Sequence, residues 1–257
     1  FKPGDEIDFE DMGNDLIIHS KGKKAEKKSL TLEIKDSRET AIRALLANSY
    51  RAGYDKIKVK FDGEEEKLSK IVNKFLIGFD ISEVSKNEYL IESLTEPSMD
   101  DFENYVRKQI FLVGEIFESI SKKSIEKEVN KIQRYDNLLK RYFSKNKNQS
   151  TFLWQFLSNL VYISKSLLHF QNEFELISRN LNDLSSLNKL KEMFLIIKNA
   201  YLTMNSSKIY KLADIEKSIS ENEEVTKIRH HIKLIARLIY FSSSPLIGLI
   251  HSSSFSK

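Results

Sequence analysis

Hydrophobic and polar positions interleave two-residue alternation with helical stripes before residue 97, and keep helical three-and-four spacing after it. Glu6-Ile7-Asp8-Phe9-Glu10 alternates as a half-buried strand does, and Leu16-Ile17-Ile18-His19 follows a turn at Gly13-Asn14-Asp15. Lys21 to Lys28 is a polar, lysine-rich link. Leu30 to Ile34 predicts a strand, then Asp36 or Ser37 caps a helix with Ala41, Leu45, Leu46 and Tyr50 on its apolar side. Gly53 stands where that helix needs a left-handed residue to end it. Lys56 to Phe61 alternates again. Residues 64–76 predict a second helix with Leu68, Ile71, Val72, Phe75 and Leu76 in one stripe, and strands follow near Phe79–Val84 and Tyr89–Glu92. The order β-α-β-α-β-β predicts a small sheet with helices over one face.

From Pro97 onward the pattern predicts only helices, at about 98–122, 124–144, 150–183, 185–205, 207–220 and 222–253. Ser98 with Asp101 reads as a capping box at the first of them. The third, if continuous, would be ~50 Å long. Polar residues from Lys145 to Ser150 mark a break. Ile232–Ile250 is apolar enough to suggest a membrane span, but Lys233, Arg237, Ser242 to Ser244 and Pro245 fit a Pro-kinked bundle helix better. Lys108-Gln109-Ile110-Phe111-Leu112-Val113 is echoed by Lys191-Glu192-Met193-Phe194-Leu195-Ile196, 83 residues later, which hints at two sets of three helices.

Composition narrows the picture. A length of 257 residues favours two structural units over one core. With no cysteine, disulfides, thiolate metal sites and a cysteine nucleophile are excluded, and the expected location is cytoplasmic. Only 8 Gly and 3 Pro suit long helices. Residues 1–95 carry a net charge of −2 and residues 96–257 a net +6, a mixed solvated surface and not a nucleic-acid footprint. The sequence opens on Phe1 with no initiator methionine and no signal peptide in view.

Several residues could carry chemistry. His169 and Glu173, four apart, could co-ligate zinc or iron, or simply share a helix surface. Lys227, Arg229, His230, His231 and Lys233 form a basic stretch that could take an anion or face solvent. Phe152, Trp154 and Phe156 read as core. Asp136, near Arg134, Lys140 and Arg141, reads as an intrahelical salt-bridge partner. No phosphate-cradling glycine loop, nucleophile elbow or H-E-x-x-H is present, so no enzyme is expected and no catalytic residue is assigned.

Taken in order, the parts resemble an archaeal phosphate-uptake-regulator-like protein with an AbrB-type swapped-hairpin domain ahead of a PhoU domain. Phe1-Lys2-Pro3-Gly4-Asp5-Glu6-Ile7 with Leu16-Ile17-Ile18 is similar to the second half of an AbrB hairpin. Arg43 to Ile57 and Leu76-Ile77-Gly78-Phe79-Asp80-Ile81 resemble that family's α/β connector. The resemblance implies an α+β front end, made of a partial β-hairpin domain (1–22) and a small β-α-β-α-β-β connector (29–95). An all-α PhoU-like bundle of two three-helix repeats (97–257) would follow.

It also implies a regulator of phosphate-responsive transcription or phosphate uptake, a homodimer through the swapped hairpin, and DNA contact from strands that would lie before Phe1. The retained acids Asp5, Glu6, Asp8, Glu10, Asp11 and Asp15 repel phosphate, so no DNA-binding residue is assigned. The alternatives are a non-DNA-binding adapter docking on a transporter ATPase or a signalling kinase, and a helical scaffold without a ligand. PhoU domains hold metal clusters through E/D-xxx-D motifs. Here the matching places read Asp136…Lys140 and Gln171-Asn172-Glu173-Phe174-Glu175, Asp214 and Glu216 stand two apart, and Phe241 to Ser244 has no acid. The motifs are degraded, and neither a metal nor a cofactor is expected.

Overall fold

A computed structural model describes residues 7–11, 16–20, 27–95, 101–146, 150–176, 181–221 and 226–254. The Pro3-Gly4 and Gly13–Asp15 turns, Lys21 to Glu26 of the polar link, Ser98 of the capping box and Lys147 to Gln149 of the break lie outside the described residues. Strands β1 (Ile7–Asp11) and β2 (Leu16–Ser20) pair antiparallel, with Phe9 opposite Ile18.

The next unit follows the expected order. Strands β3 (Ser29–Ile34), β4 (Lys56–Phe61), β5 (Phe79–Ser85) and β6 (Glu88–Ser93) form one sheet, in the order β3-β4-β6-β5. The β3–β4 pair is parallel and the other two are antiparallel. Helix α1 (Glu39–Arg51) makes the crossover between β3 and β4, and α2 (Glu65–Phe75) leads from β4 to β5. Ile57, Val59, Phe61, Tyr89 and Ile91 point to the helices and are buried. The alternate residues Lys58 and Lys60 are exposed on the open face. Alternation thus decides which side of the sheet is covered.

Helix α1 departs from the expected stripe. Ile42 and Leu46 are fully buried, while Leu45 is 41% exposed, so the helix is turned by one residue toward Ile42. Its start also differs. Asp36 accepts from the Arg38 backbone N–H at 2.9 Å and grips the Arg38 guanidinium, and no side chain caps the helix. Those hydrogen bonds hold the Asp36 carboxyl at about 2. The C-terminus is as expected. Gly53 has φ +81°, its N–H donates to Tyr50 O at 3.0 Å, and Tyr54 N–H donates to Ser49 O at 3.3 Å. This pairing satisfies carbonyls the helix end would leave open. Gly53→Ala is expected to lower stability by about 1–2 kcal/mol, because a left-handed residue with a Cβ costs that much. An unchanged urea midpoint would show that the turn relaxes freely.

The remainder is helical: α3 (Phe102–Ser119), α4 (Glu126–Lys145), α5 (Thr151–Leu176), α6 (Leu181–Thr203), α7 (Lys211–Ser220), α8 (Lys227–Phe241) and α9 (Ser243–Ser254). Helices α3, α4 and α5 pack on one another, and so do α6, α7 and α8. The two groups meet where α5 lies against α8 and α3 against α6. Ile110, Ile116, Ile132, Phe156, Ile163, Met193, Ile232 and Ile239 form their shared core. Each such side chain contributes roughly 1.5–3 kcal/mol by leaving water.

The long apolar stretch is two helices. Pro245 lacks an N–H and its ring would meet the Phe241 carbonyl in a continuous helix, so α8 stops at Phe241 and α9 restarts after Ser242. Lys227–Ser252 has the length and hydropathy to cross a membrane. Here Ile228, Ile232, Ile235, Ile239, Leu246 and Ile250 are instead spent on the bundle core.

Helix α4 joins the two units. Leu139 belongs to the bundle core, and its neighbour Leu138 to the core of the α/β unit. Helices α1 and α2 both lie on α4.

Candidate functional site

The joint between α1 and α4 holds buried charge, which folding does not leave in place without compensation. Asp136 lies on the α4 stripe Val129, Ile132, Asp136, Leu139, Phe143, where an apolar residue would be the default. Its carboxylate is 1% exposed. Lys140, one turn on, brings its Nζ to 2.9 Å from Asp136 Oδ1, at an angle outside good hydrogen-bond geometry, so the contact is an ion pair. Arg51, from the last turn of α1, places Nη2 at 3.6 Å from Asp136 Oδ2. Its Nε donates to Asn137 Oδ1 at 2.7 Å, and Asn137 Nδ2 donates in turn to Phe75 O at 3.1 Å. Burial pushes the Asp136 carboxyl up and the Lys140 ammonium down. The reading of Asp136 as an intrahelical salt-bridge partner therefore holds for Lys140, but Arg141 goes elsewhere.

Arg141, 1% exposed, donates from Nη2 to Asp55 Oδ1 at 2.6 Å and from Nη1 to Tyr54 O at 2.7 Å. Its guanidinium lies 5.1 Å from the Tyr50 ring centre and 4.8 Å from that of Phe79. Asp55 also takes Lys145 Nζ and the Lys28 N–H, the latter at 3.0 Å. The Gly53 turn delivers Asp55 to this place. One carboxylate, carried on the turn between α1 and β4, thus ties the residue before β3 to the end of α4.

The other places behave differently. Gln171 is buried and structural: Nε2 donates to Ile120 O at 2.7 Å and Lys123 O at 2.8 Å, and Oε1 accepts from Ile125 N–H at 3.1 Å. It satisfies the α3–α4 connection. Glu173 lies 3.9 Å from Lys227, while His169 stacks on His231 with ring centres 6.4 Å apart. Burial, with His230 and His169 nearby, pushes the His231 imidazole down. Among the described residues no three His, Asp or Glu side chains gather as a metal-ligand set. Glu216 accepts from Ser220 Oγ at 2.8 Å, and Asp214 is exposed.

Two expectations are corrected. Arg229 is not on a solvated face: it is 6% exposed and its Nη1 donates to Ser186 Oγ at 2.6 Å. Of the three aromatics read as core, only Phe156 is buried. Phe152 is half exposed against Gly248, where a Cβ would come within 2.6 Å of its ring. Trp154 is also partly exposed, packs on Phe143 and lies 5.3 Å from Lys140 Nζ.

Arg51, Asp55 and Asn137 are not legible as site residues in the sequence. The one available signal was a charged pair, Asp136 and Lys140, on an otherwise apolar stripe. An open cleft of about 870 Å³ at the carboxyl ends of β3 and β4 is lined by charges of both signs, among them Glu33, Lys35, Lys60 and Asp62, with no convergent set. Comparison of the chain with protein-family models, with curated proteins and with solved structures finds no match.

Proposed function

We propose that this chain is a regulator of phosphate-responsive transcription or phosphate uptake, built as a PhoU-like helical sensor behind an AbrB-like hairpin and its α/β connector. The carrying observation is the charged joint. An interface made only of apolar side chains would weld the two parts, whereas polar interfaces within a chain are those that move. Here Arg51 of the connector meets a buried acid-base pair on the second bundle helix, at the place where a PhoU domain would carry two acids. A lysine in that place supplies the positive charge that a metal would otherwise bring. The grouping of α3–α5 and of α6–α8, with the echoed segments on α3 and α6, supports the two-repeat reading. In this reading the state of the bundle reaches the hairpin through α4 and α1, and the protein works as a homodimer in the cytoplasm.

Acids at Asp8, Glu10 and Asp11 in β1 favour a second reading, an adapter that docks on a transporter ATPase or signalling kinase without touching DNA. A gel-shift series on the gene product, with whatever residues precede Phe1, separates them. Sequence-specific binding that weakens with salt is expected for the regulator. No binding at low salt would remove the transcription role and leave the adapter.

A further inference from the structure

Helices α3, α5, α6 and α9 leave a cavity of about 270 Å³ at the seam where the two helix groups meet. Its wall is apolar. Val106 of α3, 1% exposed, forms the buried side, with Leu153 of α5 and Leu249 of α9 beside it. Met204, just past the end of α6, lines it with a backbone φ of +48°, a left-handed conformation that residues with a side chain seldom adopt. That conformation lets the Asn205 N–H donate to Ala200 O at 3.1 Å as α6 ends. A thioether in the wall of a cavity adapts to occupants of differing shape.

Three polar side chains line the same cavity: Glu103, Arg107 and Tyr201. Arg107 gives both Nε, at 3.2 Å, and Nη2, at 2.7 Å, to a single oxygen, Glu103 Oε1. Among the described residues Arg107 Nη1 and Glu103 Oε2 make no hydrogen bond, so one ion pair holds an unspent donor and an unspent acceptor. Both side chains are more than half exposed and stand at the mouth. Tyr201, stacked on Phe156, is 9% exposed, and its hydroxyl makes no hydrogen bond among the described residues either. Burial, and after it the Glu103 carboxylate, push that hydroxyl up to about 12, so it stays a donor.

We propose that this cavity binds a free apolar α-amino acid, with its side chain among Val106, Leu153 and Leu249, its carboxylate on Arg107 and its ammonium on Glu103. An apolar wall with one cation and one anion at its mouth complements a zwitterion that carries an apolar tail. A simple fatty or aromatic acid would set its carboxylate beside Glu103 with no ammonium between them, and a simple amine would meet Arg107 in the same way. Size agrees. A cavity of ~150 Å³ takes benzene, so this one has room for a phenylalanine or leucine side chain. Because the wall is shared by both helix groups, an occupant would brace one against the other. This goes beyond the regulatory reading, because the amino acid would bind whichever partner the protein serves.

The test is calorimetric titration of the intact chain with phenylalanine and with leucine. Glycine, 3-phenylpropionate and phenethylamine are the comparison probes, lacking in turn the side chain, the ammonium and the carboxylate. Saturable binding is expected for at least one of the two apolar amino acids, and about tenfold or more weaker binding for each comparison probe. Variants Arg107→Gln and Glu103→Gln should each weaken binding about tenfold or more, as loss of a charge-assisted hydrogen bond implies. Lys58→Gln on the open sheet face should match the parent, and all three variants are checked for native circular dichroism. The two site variants sit at exposed helix positions, where loss of an ion pair barely moves the fold, so weaker binding reads the site itself. No saturable heat with either amino acid, or equal affinity in the parent and the two site variants, overturns the proposal. So does 3-phenylpropionate or phenethylamine binding as tightly as phenylalanine. A negative gel-shift leaves this result untouched, so the two proposals fail separately.

Discussion

Arg141→Ala is expected to destabilise the protein by about 3–5 kcal/mol, the range for removing one partner of a buried charge pair. The guanidinium serves Asp55, the Tyr50 and Tyr54 carbonyls and two aromatic faces at once, so truncation strips all of these contacts and opens a hole between α4 and the α/β unit. Arg141→Lys should recover less than half of the loss, because one ammonium cannot span Asp55 and Tyr54 O with a planar fork. Urea unfolding measures both. A loss under about 1 kcal/mol would mean that Lys145 and Lys28 alone satisfy Asp55. The pH dependence has a definite sign. Burial pushes the Asp55 carboxyl up, but the hydrogen bonds from Lys145, the Lys28 N–H and Arg141 outweigh it, and the net shift is downward. Its contribution is therefore complete above the ordinary carboxylate range near pH 4 and is lost as the pH falls through the lowered folded value. Asp55→Asn should accordingly be less stable at neutral pH and show a shallower acid limb.

Asp136→Ala should cost a similar amount, for the opposite reason. Lys140 and Arg51 would be left facing each other without the carboxylate between them. Joint replacement, Asp136→Leu with Lys140→Met, should return stability to within about 1 kcal/mol of the parent or exceed it by up to about 4 kcal/mol, since two desolvated charges give way to packing. Denaturant midpoints of the single and double variants decide this. A double variant as weak as the single would assign the loss to shape, not charge. In Asp136→Ala the Lys140 ammonium, already pushed down by burial, has lost its carboxylate. A depressed folded value makes the unfolded state the better proton binder, so this variant should regain stability as pH rises through that window.

These two effects rest on residues whose roles local pattern does not carry. In the α/β unit the strands and helices were readable almost to the residue, because alternation, a left-handed Gly53 and a five-residue stripe on α2 all point the same way. The phase of α1 was not. Ala41 and Leu45 offer as apolar a stripe as Ile42 and Leu46, and only packing over the sheet selects between them. Pro245 marks a kink in one long helix on sequence grounds, whereas the structure ends α8 at Phe241 and restarts as α9 at Ser243. The joint was hidden because its partners are far apart in the chain: Arg141 and Asp55 are separated by 86 residues, as are Arg51 and Asn137. Arg229 failed for the same reason, since its partner Ser186 lies 43 residues away. A charge cluster in sequence looks solvated until a distant helix covers it.

Leu138 and Leu139 are neighbours on one helix, yet each is a cornerstone of a different core. The border between the two parts thus runs lengthwise along α4, not across the chain after Thr95. Severing the chain there would strip the α/β piece of its floor and leave the bundle with a raw, charged flank. Because the two parts share α4, they are expected to melt together in a single cooperative transition, which calorimetry on the intact chain checks.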